Sequence, residues 1–143
     1  FFYASVGTAF QLYRNVMTAP CAEVVLGMGS WNSKTSPGAK AYFDAHTKKF
    51  GGKEPDRWAS GAAWAGLEIL TTSVNKVGLD RKAIRDYVAN NTHKTIIGDI
   101  KFTGSENTAT PGSVSQWQNG EFEVVWPQKI ATAKLNPAKP AWK

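Results

Sequence analysis

A chain of 143 residues with 42% apolar and 20% charged residues has room for one ordinary domain and enough apolar content to bury a core, which excludes a wholly disordered chain. No apolar run approaches the roughly 20 residues needed to span a bilayer. Seventeen Lys and Arg against eleven Asp and Glu leave +6, but the positive charges are scattered, which argues against a nucleic-acid partner, and the lone Cys21 excludes an internal disulfide or a Cys-based metal site.

The opening run Phe1-Phe2-Tyr3-Ala4-Ser5-Val6 is β-prone and has no starting Met, which reads as the middle of a longer protein. Any signal peptide would then lie outside it. The spacing predicts a strand over 1–6, broken at Gly7 and Thr8, then a helix from Ala9 to about Met17 with Phe10, Tyr13, Val16 and Met17 on one face. A strand ending in a small-residue loop that feeds a helix is the unit of an open α/β sheet, and ligands bind at such strand ends. The next strand is expected from Glu23 through Met28, carried on to Trp31, with Gly27 and Gly29 marking a bend or a close backbone approach.

Ser36-Pro37 is a helix start with cap and first-turn residues in their preferred order. Ala39, Tyr42, Phe43, His46 and Phe50 then form an apolar stripe, closed by Gly51-Gly52. The nearest approach to a basic cluster, Lys48, Lys49 and Lys53, sits at that helix end, where cations suit the macrodipole. Pro55 and Asp56 open a helix to about Lys76, on which Trp64, Leu67, Leu70, Val74 and Val77 recur at three- and four-residue steps. Its first half is small-sided, so a helix or a ligand can approach closely. Gly78 ends it, Asp80 caps the next helix, and Ile84, Tyr87 and Val88 form that helix's buried side before Asn90-Asn91.

Thr95 to Phe102 reads as a strand with Ile100 and Phe102 on one face, and Gly104 to Gly112 as a polar loop. Asn119-Gly120 is a two-residue turn signal, because both residues tolerate positive φ. Trp117 before it and Phe122, Val124 and Trp126 after it make one apolar face of a hairpin that Pro127 ends. Lys129, Lys134, Lys139 and Lys143 lie in a Pro-containing tail without acids, which reads as an irregular surface strap. The order β-α-β-α-α-α-β-β-β is α/β, with too few strands for a complete doubly wound domain.

This order of motifs resembles the later part of the type I periplasmic binding proteins of the branched-chain amino-acid kind, the solute-binding components of ABC transporters. The resemblance runs over nearly the whole chain, from Tyr3-Ala4-Ser5-Val6-Gly7 through Ala22-Glu23 to Trp31 and the Ala39 to Gly52 helix. It continues in Trp64-Ala65-Gly66, Gly78 with Asp80 to Val88, Ile97 to Phe102, and Gln116 to Gly120 with Val124 to Pro127. It implies two α/β lobes joined by hinge strands, with a solute trapped between them. Residues 1–28 would end the second lobe, 29–112 would return to the first, and 113–143 would be the last hinge crossing and the strap. The fold would be incomplete without upstream residues, and the helix faces that an upstream sheet covers would stand exposed.

By the same resemblance, Ala4-Ser5-Val6-Gly7 is the solute-contacting loop of the second lobe; Tyr3, near the strand end, offers a hydroxyl to a ligand carboxylate, with core packing as the plainer alternative. A carboxylate that neutralises the ammonium of an amino-acid solute in such proteins corresponds here to Val6. An apolar residue offers no counter-charge. The implied solute is therefore an aromatic or aliphatic carboxylate, or an amino-acid-like molecule held differently. Trp64 falls where the first lobe lines the cleft, and its indole offers a flat face and one donor; core packing along Leu67 and Leu70 is the plainer alternative. Trp58 reads as packing or rim, while Trp31, Trp117 and Trp126 read as hinge braces.

His46 and His93 have no acid or cysteine at ligand spacing, so no metal site and no cofactor are expected. Ser5 lacks the Gly-x-Ser-x-Gly elbow of hydrolases, and Glu54, Asp56 and Arg57 read as capping and surface charges. The expected function is that of an extracytoplasmic solute-binding component, with no catalysis, no nucleic acid, an ABC permease in the membrane as partner, and a missing amino-terminal part of the same protein. Three alternatives remain open from sequence. They are a ligand-sensing or amide-responsive regulator of the same fold, an α/β enzyme domain with catalytic residues upstream, and a Trp-rich basic module.

Overall fold

The computed structural model describes residues 5–29, 31–110, 112–139 and 141. Two short helices, α1 (Gln11–Val16) and α2 (Ala19–Ala22), precede strand β1 (Leu26–Gly29). Three longer helices follow: α3 (Pro37–Lys49), α4 (Ala59–Val77) and α5 (Arg81–Asn90). Strands β2 (Thr92–Thr95), β3 (Gly98–Thr103), β4 (Glu106–Asn107), β5 (Ser113–Gln118) and β6 (Glu121–Trp126) complete the order. They form two antiparallel sheets, β1-β5-β6 and β2-β3-β4.

The β5-β6 hairpin forms as the sequence dictates. Asn119 and Gly120 take φ of 52° and 82°, the left-handed pair that a tight turn requires, and Trp117 faces Phe122 with ring centroids 5.1 Å apart. Trp117, Phe122 and Val124 are buried, whereas Trp126, expected on the same face, is exposed beyond a register shift at Val114/Ser115. Ala9, Val25, Trp117 and Phe122 make one core cluster. Gly29 of β1 lies so close to Ser115 that a Cβ would sit 2.6 Å from its Oγ, which is the close approach expected at this glycine.

A second core joins the helices to the β2-β3 hairpin. Ser36 accepts from the Ala39 amide to start α3, and Asp80 accepts from the Ala83 amide to start α5. Trp31 is buried against Ala39, Ile96, Tyr42 and Phe43, and its indole occupies the space that a side chain at Gly61 would need. The buried face of α4 is Gly61, Ala65, Ile69 and Ser73, packed on Ile100 with Val88 and Phe102. The other ridge, Trp64, Leu67 and Leu70, is 42%, 56% and 49% exposed.

Several sequence-derived boundaries change. Phe1–Ala4 lie outside the described residues, and Val6, expected at a strand end, begins a 3-10 turn over Val6–Ala9. Phe10 is extended and the Ala9 carbonyl accepts from the Arg57 amide, so α1 starts only at Gln11. The strand expected from Glu23 starts at Leu26, since Val24 takes φ of 60° and breaks the extended run. The single strand expected over 95–102 is a hairpin turning at Ile96-Ile97, with Gly98 at φ of 109° supplying the reversal. Two residues of the expected polar loop, Glu106 and Asn107, pair with β3.

Side chains hold the described part of the tail against the sheet and α2. Gln116 donates to the Asn136 carbonyl and accepts from the Asn136 amide, both at 2.9 Å, so a side-chain amide stands in for one rung of a β-ladder. Gln118 donates to the Lys134 carbonyl, and the Lys139 ammonium donates to the carbonyls of Pro20, Cys21 and Glu23 where α2 ends.

Candidate functional site

The loop singled out from sequence is a compact turn tied to two distant parts of the chain. Ser5 is exposed and Val6 is half-buried, while Tyr3 and Ala4 lie outside the described residues. The Ser5 carbonyl accepts from the Thr8 hydroxyl at 2.9 Å, which closes the turn. Thr8 and Ala9 are buried, and the Trp117 indole N–H donates to the Thr8 carbonyl at 2.8 Å. The turn is therefore anchored on the β5-β6 sheet.

The second anchor is the start of α4. The Arg57 amide donates to the Ala9 carbonyl at 2.9 Å, and the Glu54 amide donates to Gln11 Oε1 at 3.3 Å. Asp56 caps α4 by accepting from the amides of Trp58, Ala59 and Ser60, and its carbonyl takes the Trp31 indole N–H and the Ser60 hydroxyl. Arg57, read from sequence as a capping or surface charge, is 5% exposed. Its guanidinium donates to the Pro55 carbonyl and to Glu54 Oε2, and stacks over Trp31 and Phe43. The aromatic partners are 26 and 14 positions away, so no local pattern announces this burial.

Trp64 stands elsewhere. It lies against Tyr42 with centroids 5.0 Å apart, on a groove of about 810 Å³ between α3 and α4 that His46, Phe50 and Leu67 also line. Neither Ser5 nor Val6 lines that groove. His46 Nδ1 pairs with the Lys53 carbonyl and its ring stacks on Phe50, whereas His93 is buried with Nε2 at the Val88 carbonyl. Among the described residues no group of His, Cys, Asp or Glu is placed to hold a metal ion. A second cavity of about 620 Å³ lies beside the β5-β6 turn, lined by Arg14, Glu23 and Trp117.

No protein-family model matches the chain, and no curated protein matches it. Solved structures do. A putative branched-chain amino acid ABC transporter from Silicibacter pomeroyi superposes with a TM-score of 0.75 at 14% identity, over 99% of this chain and 40% of that one. The chain has part of the type I periplasmic binding-protein fold. The branched-chain amino acid transporter substrate-binding protein LivJ from Streptococcus pneumoniae, in complex with isoleucine, gives 0.68 at 18% identity over 87% of this chain and 37% of that one. A solute-binding protein of an ABC transporter from R. palustris, in complex with benzoate, gives 0.61 at 16% over 75% and 30%. The chain thus spans well under half the length of the binding-protein structures it matches.

Proposed function

We propose that this chain is the later portion of an extracytoplasmic solute-binding component of an ABC importer, which captures a small carboxylate by closure of two lobes and delivers it to a membrane permease. The observation that supports it most is the pairing of a near-complete superposition on such a protein with an open apolar ridge on α4. Burying a large apolar side chain contributes about 1.5–3 kcal/mol. A ridge of Trp64, Leu67 and Leu70 left in water is the face on which the remaining sheet of the first lobe would rest. No helix among the described residues is long and apolar enough to cross a membrane.

In this reading residues 1–28 belong to the second lobe, 29–112 to the first, and 113–143 form the last hinge crossing and its strap. Tyr3, Ala4, Ser5 and Val6 supply the second-lobe contact. Val6 has no charge for a solute ammonium, which favours an aromatic or aliphatic carboxylate; one similar structure holds benzoate and another isoleucine. Closure follows from population shift, since contacts from both lobes exist together only in the closed state. Turnover is not part of this function.

A panel of amino acids, amides and aromatic and aliphatic acids, screened by thermal shift on the complete protein, tests the reading. Stabilisation that grows with solute concentration supports it; conversion of any bound compound would replace it with the enzyme alternative. Trp64→Ala separates the two uses of that indole. Weaker solute binding at unchanged Tm places Trp64 in the cleft, and lowered Tm at unchanged affinity places it beneath the covering sheet. Its neighbours Leu67 and Tyr42 favour the second result.

A further inference from the structure

The Thr8–Gln11 segment meets Glu54–Arg57 in a polar contact that joins the two parts of the chain that the proposed function assigns to different lobes. Each side carries hydrogen bonds of its own that do not depend on the other. On one side the 3-10 turn is closed by Thr8 and Ser5 and held by Trp117. On the other, Pro55 is buried, the Arg57 guanidinium is clamped by Pro55, Glu54, Trp31 and Phe43, and Asp56 holds three amides of the α4 start. The amides of Arg57 and Glu54 reach across to the opposite segment, at Ala9 O and Gln11 Oε1.

We propose that Ala9 and Gln11 with Glu54 and Arg57 form a latch between the lobes, a pair of hydrogen bonds made on closure that sets the open–closed balance independently of any solute contact. This rests on the lobe assignment above. Closure brings two preorganised edges together, so little ordering entropy opposes the contact. Gln11 is a positioning residue in this scheme. Its side chain reaches the loop before α4, and it strengthens the closed state without touching the solute.

Amide hydrogen exchange on the complete protein tests the latch, with an internal control. The amides of Ala59 and Ser60 are held by Asp56 within one segment, whereas the Arg57 amide is held across the two. Gln11→Ala is expected to speed exchange at Arg57 by about two- to tenfold, the range for losing one ordinary hydrogen bond, and to leave Ala59 and Ser60 unchanged. Gln11→Glu keeps an acceptor and is expected to restore slow exchange. A solute identified by thermal shift should slow exchange at Arg57 alone and bind about two- to tenfold more weakly to Gln11→Ala. Equal Arg57 exchange in the wild type, Gln11→Ala and the solute-bound protein would show a permanent contact and overturn the latch. A Gln11→Ala effect on Arg57 with no stabilising solute in the panel would leave the coupling standing and remove the transport reading instead.

Discussion

At Gly61 the backbone of α4 meets the Trp31 indole, and the absence of a side chain there lets the helix lie on the aromatic core. Gly61→Ala is expected to cost about 1–3 kcal/mol, the usual penalty of overpacking, measured by urea unfolding of the complete protein. Tyr13 gives a pH-dependent test. Burial, and then the nearby Cys21, raise its phenol above the ordinary 10.0. A raised folded value means that the fold favours the neutral phenol. That contribution is complete below 10.0 and is lost as pH rises through the folded value, so stability should fall on the alkaline side. Tyr13→Phe should flatten that fall, as read from Tm between pH 8 and 11, a span of ordinary tyrosine titration at about 10. Single-residue features of this kind were partly legible. Ser36, Asp80, Gly78 and the Asn119-Gly120 pair do what their residue types require. Arg57 was not legible, because a buried guanidinium is declared by partners that only the tertiary fold brings to it.

Among the elements, α4 shows how far local pattern reaches. Pro55 and Asp56 read as its opening residues, but it begins at Ala59, and Asp56 captures the first free amides from the turn before it. Asp56→Ala is expected to destabilise by about 1–2 kcal/mol while Asp56→Asn loses much less, as read from chemical denaturation. Which face of α4 is buried was not visible, since the large residues Trp64, Leu67 and Leu70 signal burial more strongly than Gly61, Ala65, Ile69 and Ser73 do. The small face wins inside this chain because it admits Trp31 and the β2-β3 hairpin. The sequence of that hairpin reads as one strand for a similar reason. Ile96-Ile97 looks like strand interior, and only Gly98 hints at the reversal that pairs Thr95 with Gly98. The candidate loop at Ser5 and Val6 was found by its motif, but its tie to Arg57 was not, as no periodicity links residues so far apart.

On the scale of the whole molecule, the described residues form two small sheets and three long helices, with a row of apolar side chains facing water along α4. This is the face that the proposed reading places beneath the rest of the first lobe's sheet. The 143 residues expressed alone should bind an environment-sensitive hydrophobic dye and self-associate, and Leu67→Glu with Leu70→Glu should suppress both. The same double change in the complete protein should instead lower stability, by several kcal/mol if each leucine is fully buried there, at about 1.5–3 kcal/mol apiece. The most direct measurement is calorimetric titration of the complete protein with the carboxylates and amino acids of the screening panel. Saturable binding of one class at a single site, with no product formed, is the expected result, and a complete protein that binds none of them or consumes one would contradict the solute-capture reading.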